Sequence, residues 1–236
     1  PYGVSSIHLQ EVAYPLPHPY HWPTIGFHED LDAATLDDAR AFFQRFYTPS
    51  NASLAIAGDF QLEEARYMVE RYFGNLAPGP ALPRARRTDS PLQGRVSLTL
   101  HDRVLLQRLS LVWPTVPRFH KDEAPLSILA AILGGGKSSR LYRALVYERR
   151  IAQSVVVGHG PAEIAGDFHV EVTAAAGHTA EEVEEAALFE IGFRRRGRVR
   201  RVLIGWVRTR EKPPREDGFQ PSGGLVSPPI LLEERE

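Results

Sequence analysis

Residues 77–94, APGPALPRARRTDSPLQG, constrain this chain more than any other segment. Pro78, Pro80, Pro83 and Pro91 each remove a backbone donor and fix φ, and neither helical nor strand periodicity runs through them. No single helix or strand layer passes through such a stretch, so the chain must organise on either side of it. It reads as a linker between a first domain over residues 1–76 and a second over 95–192, followed by a tail of different composition, 193–236.

The two sides echo each other. LAIAGDF-QLEEARYMVERYF recurs in outline as VEVTAAAGH-TAEEVEEAALFEI, about 118 residues later: strand, turn, then a helix with acids in its first turn. That interval is too long for a solenoid repeat. It predicts an α+β fold, tandem α/β domains with antiparallel or mixed sheets packed on helices. The first domain is expected to be incomplete on its N-terminal side and to expose an apolar face.

Within the first part, Val4, Ile7, Leu9 and Val12 give Tyr2–Ala13 helical spacing, stopped by Pro15, Pro17 and Pro19. Thr35 is an N-cap, Asp37 and Asp38 fill the first turn, and Ala39, Phe42, Phe43 and Phe46 form an apolar stripe. Leu54–Ala57 reads as a buried strand, and QLEEARYMVERYFGNL as a helix ending at Gly74. In the second part, RVSLTLHD, QRLSLVWPTV, IAQSVVVGHG and GDFHVEVTAAA read as strands. DEAPLSILAAILGG is an apolar helix running into glycines. SSRLYRALVYERR is an amphipathic helix capped by Ser138 or Ser139, and TAEEVEEAALFEI starts at a Thr/Glu capping box.

From Phe193 to Lys212 there are nine Arg or Lys and one acid, then a Pro/Gly-rich end. The expectation is a basic disordered tail that does not pack on the body; out-of-frame translation is a further reading. The formal net charge of −1 gives no global drive toward nucleic acid or membrane. No apolar run approaches the roughly 18 residues of a membrane span. The absence of cysteine rules out disulfides, thiol catalysis and cysteine-ligated metal. It leaves the compartment open between bacterial periplasm and cytoplasm.

Gly134-Gly135-Gly136-Lys137-Ser138 invites a phosphate-loop reading. The position five residues before the Gly of Gly-Lys-Ser is Ala131, however, and the loop follows a helical run where a strand is needed. A glycine break between two helices is the better reading. His18, His21 and His28 sit within eleven residues, but Pro17 and Pro19 fix the backbone around the first, and the spacing matches no rigid helical pair. They read as loop histidines packing beside Tyr20 and Trp22. His169 and Glu171 lie on one face of a strand as a salt-linked pair. Glu63-Glu64, Glu181-Glu182 and Glu184-Glu185 complement helix dipoles or solubilise helix faces. No catalytic residue is assigned.

The ordered series HPYHWPTIGFHEDLDAATLDDARAFFQRFYTPSNASLAIAGDF resembles the insulinase/pitrilysin-type zinc metallopeptidases. LGGGKSSRLYRALVYERRIAQSVVV resembles the second domain of the same family. The resemblance implies metallopeptidase-type tandem domains that pair with a second peptidase half or subunit around an extended peptide. It also implies zinc in the intact enzyme, polarising the scissile carbonyl while a Glu activates water. No His-x-x-Glu-His occurs in this sequence, and Glu11 sits in the wrong context for the third ligand. The expectation is therefore a fragment: the end of the first domain and most of the second, opening on Pro1, with Met68 its only methionine. It would supply fold and chamber wall, be inactive alone and bind no zinc of its own. Peptide contact is expected at Gly134, Gly135, Gly136, Lys137 and Ser138. The alternative is a non-catalytic peptide-binding or partner subunit of a processing-peptidase-like complex.

Overall fold

The computed structural model describes residues 2–84, 86–90, 92, 94–192, 201–209 and 231–234. The chain folds as two units, one formed by Pro1–Thr24 with Arg86–Glu236 and the other by Ile25–Ala85.

The larger unit is built on one sheet. Its strands are β1 (Gly94–Asp102), β2 (Arg108–Thr115), β3 (Ala152–Pro161), β4 (Gly166–Ala174), β5 (Arg201–Thr209) and β6 (Leu231–Glu234). They lie in the order β3-β4-β2-β5-β1-β6; β1 and β5 run parallel and every other pairing is antiparallel. Strand alternation divides the side chains between two layers. Leu109 and Leu111 of β2, Phe168, Val170 and Val172 of β4, and Ile204 and Trp206 of β5 are buried on one face. Covering that face are α5 (Glu123–Gly134), α6 (Arg140–Tyr142) with its continuation Arg143–Glu148, and α7 (Ala180–Ile191). The opposite face buries Leu98 and Leu100 of β1 under α1 (Gly3–Ala13) and Tyr14.

Helix α1 thus belongs to the sheet unit and not to the first domain in which its position in the chain placed it. The cause is local. Leu9 sits where a Cβ on Gly205 would stand, the Tyr14 hydroxyl donates to Gly166 O at 3.0 Å, and Ser90 Oγ donates to Ala13 O at 2.5 Å.

The basic tail also differs from expectation. Residues 201–209 form a central strand bonded to both β1 and β2. Ile204 and Trp206 alternate on the helix-covered face, and the acids of α7 take up the polar groups beside them. Arg208 pairs with Glu181 at 2.6 Å, and Trp206 Nε1 donates to Glu184 at 3.1 Å. A short period-2 apolar pattern inside an Arg-rich run outweighed the run's composition. The rest of the tail reading, over 193–200, 210–230 and 235–236, lies outside the described residues.

Helix α6 is not the continuous α-helix that its pattern predicts. After Tyr142 the chain widens into a π-helical turn, Arg143–Glu148.

The smaller unit holds α2 (His28–Ala33), α3 (Leu36–Phe46) and α4 (Leu62–Phe73). Thr35 and Asp38 form the complete capping box of α3. Leu54–Ala57 is not a strand here, because no strand among the described residues pairs with it. Leu54 and Ile56, expected to be buried, are 60% and 49% exposed. No residue of α2, α3 or α4 is buried.

Candidate functional site

The glycine loop begins where α5 ends. Gly134 packs against β3 so closely that a Cβ would overlap the Val157 side chain, and a Cβ on Gly135 would meet Ala131 O at 2.5 Å. Gly136 takes φ +118, a conformation that L side chains rarely adopt. Gly135 N donates to Ala131 O at 2.8 Å and Gly136 N to Gly134 O at 2.9 Å, closing the helix. Ser139, not Ser138, occupies the N-cap of α6, and its hydroxyl donates back to Gly136 O at 2.6 Å instead of capping the helix. Gly135 to Ser138 are exposed while Ser139 is buried. The loop is a step between Gly134, packed on β3, and the buried Ser139, and Lys137 is exposed within it. A helix precedes it, so it lacks the strand that a phosphate loop needs.

Beyond the loop, α6 and the end of α7 carry a charged network. Arg140 and Arg149 both reach Glu190, at 3.5 and 3.4 Å, and Arg143 pairs with Glu148 at 2.7 Å. Sequence reading missed this cluster because Glu190 joins it from across the fold. The spacing of the arginines alone was visible.

A second polar site lies between α1 and the sheet, in a cleft of about 370 Å³ lined by Gln10, Tyr14, Tyr20, Asp167, His169 and Glu171 among others. Gly158 and Gly160 of β3 leave the room: a Cβ at 158 would overlap the His169 ring, and one at 160 would come within 3.1 Å of Asp167. His169 Nδ1 bonds Asp167 at 2.9 Å, so the expected His169–Glu171 pair does not form. Glu171 instead reaches Arg108 at 3.9 Å. The Asp167 hydrogen bond raises the His169 pKa above its usual value, against the opposing effect of burial. Burial, with Asp167 nearby, pushes the Tyr14 phenol up.

The loop histidines are structural. His18 is buried, its Nδ1 accepting from Tyr20 N and its Nε2 donating to Thr88 O, both at 3.0 Å. His21 Nδ1 donates to Tyr14 O at 3.1 Å. Both His18 nitrogens are spent and His21 Nδ1 is engaged, so this pair does not fit a zinc ion; His28 lies in α2. Among the described residues no group of three or more His, Cys, Asp or Glu is arranged to hold a metal.

A family model described as the peptidase M16 inactive domain matches residues 33–197. The chain belongs to the M16 peptidase family. Its relatives include the zinc protease PqqE of Helicobacter pylori, 33% identical over 156 residues, which cover 64% of this chain and 35% of that protein. The uncharacterized zinc protease ML0855 of Mycobacterium leprae is 34% identical over 140 residues, 58% of this chain and 32% of that one. The M16 chain thus spans about a third of the length of these relatives. A protease structure from Helicobacter pylori superposes with a TM-score of 0.68 at 26% identity, covering 84% of this chain and 49% of its own. The M16 inactive domain from Pseudomonas fluorescens gives 0.65 at 18% identity, over 86% and 64%. The latter likeness is one of fold alone. The resemblance read from the sequence, and the α+β class with it, holds.

Proposed function

We propose that this chain serves a zinc-dependent M16 endopeptidase as fold and peptide-chamber wall, without a zinc centre or catalytic residue of its own. The observation that carries the reading is a conjunction. The chain matches the family's inactive-domain model and has relatives named as zinc proteases, yet its sequence contains no His-x-x-Glu-His. In such an enzyme bound zinc polarises the scissile carbonyl. Among the described residues none are arranged to fit that ion, so no catalytic step is routed through them. Their part is to hold an extended peptide along the Gly134–Ser138 loop, whose exposed part is Gly135–Ser138, and to pair with a second peptidase half or subunit.

Metal analysis after dialysis and a fluorogenic peptide assay test the reading. The expected result is no stoichiometric zinc, no cleavage with added zinc, and measurable binding of an uncleaved extended peptide. One tightly held zinc per chain, or zinc-dependent cleavage, contradicts it. A second reading, a non-catalytic partner subunit, is favoured by the family model's description as an inactive domain. The coding sequence upstream of Pro1 separates the two. A His-x-x-Glu-His followed by a distal Glu supports the peptidase half, and its absence supports the partner subunit.

A further inference from the structure

Between Lys137 and Arg150 the chain places five cations: Lys137, Arg140, Arg143, Arg149 and Arg150. The carboxylates bonded to them are Glu148, paired with Arg143, and Glu190, which Arg140 and Arg149 share. Among the described residues, five cations against these two bonded carboxylates leave an excess of three. The other acids of α7 with an assigned partner are engaged elsewhere: Glu181 with Arg208, Glu182 with His178 and Glu184 with Arg95.

The excess charge is accessible. Arg140 and Arg143 are 57% and 71% exposed, and their i, i+3 spacing puts them on one helix face directly after the glycine loop. Lys137 is exposed within the loop itself. The Arg143–Glu148 pair is solvated on both sides, so it is weak and free to exchange partners. At the far end, Arg149 lies over the half-exposed ring of Phe189, 5.8 Å from its centroid, which adds an apolar contact to the rim.

We propose that this surface docks the acidic segment of an extended peptide. The peptide backbone follows the exposed loop Gly135–Ser138, and its carboxylates meet Lys137, Arg140 and Arg143. Charge complementarity commits the occupant: guanidinium forks match carboxylates bidentately, and a one-signed rim raises the encounter rate for the opposite sign. The inference rests on the peptide-holding reading above and names the class of peptide.

The test uses the full chain and three labelled peptides that differ only in carrying Glu, Gln or Lys at the same positions, read by fluorescence anisotropy. The Glu peptide is expected to bind about tenfold tighter than the Gln peptide near 0.05 M salt, with the Lys peptide weakest. That advantage should vanish by about 0.5 M salt, where the screening length shrinks to a few ångströms. Arg140→Glu with Arg143→Glu should reverse the order and favour the Lys peptide, a gain that unfolding cannot mimic. Equal affinity for the Glu and Gln peptides at low salt overturns this inference and leaves the peptide-holding reading standing. Failure of all three peptides to bind overturns both.

Discussion

Helices α4 and α7 share an outline in sequence and differ sharply in the structure. Each follows a strand-like segment and a turn, and each carries acids in its first turn. In α7 the apolar face is spent: Val183 and Ala187 are fully buried against the sheet. In α4 the corresponding residues have no cover, and Met68, Tyr72 and Phe73 are 48%, 67% and 53% exposed. The segment before α7 is β4, bonded to strands on both sides, whereas Leu54–Ala57 before α4 has no ladder. Amphipathic pattern decides which face of a helix is apolar. It does not decide whether a partner is present, and burial of that face supplies most of a helix's stability in a protein.

The strongest way to break this comparison is to truncate one apolar residue in each unit, buried in the first and exposed in the second. Val170→Ala should cost about 2 kcal/mol or more through lost burial and a residual cavity. Met68→Ala, already half in water, should stay within about 0.5 kcal/mol. Denaturant titration measures both, and equal costs would erase the distinction. A second test adds polarity to the uncovered face. Phe42 and Phe43 are 52% and 56% exposed, so the chain should self-associate as its concentration rises. Phe42→Ser with Phe43→Ser should lower the apparent mass by light scattering; an unchanged concentration dependence would show that the face is not responsible.

Smaller effects sharpen the picture. Thr35→Ala removes the cap of α3 and should cost that helix roughly 1 kcal/mol, seen as faster amide exchange over Leu36–Arg40. Two titrations should run in opposite directions. The Thr35 hydroxyl and amide hold Asp38 below its ordinary pKa, so its contribution is present above the unfolded value and is lost as pH falls through the folded one. His169 is raised above its ordinary 6.5, so its contribution is full below that value and fades as pH rises through the folded pKa. The slope of stability against pH near neutrality should flatten in His169→Gln. An unaltered slope would exclude the Asp167 pair as its source.

Much of the larger unit was legible because its signals are local. Alternation marks Phe168, Val170 and Val172, and a capping threonine marks the start of α7 at Thr179. What the pattern concealed was pairing across long sequence distances. Ile204 and Trp206 lie in an arginine-rich run whose composition reads as a tail, and the strands that flank them, β1 and β2, come from far away in the sequence. Leu54 and Ile56 looked buried because a strand of their composition usually is. At the candidate site, the break between two helices at Gly134–Ser138 followed from the glycines. The convergence of Arg140 and Arg149 on Glu190 did not, since the carboxylate comes from another helix.

Native-state hydrogen exchange on the full chain tests the central contrast most directly. The account predicts slow exchange for the ladder amides of β2, β4 and β5, including Ile204–Val207, and fast exchange throughout α3, α4 and residues 52–60. Protection of α4 equal to that of β4, or exchange at Ile204–Val207 as fast as in α4, would contradict it.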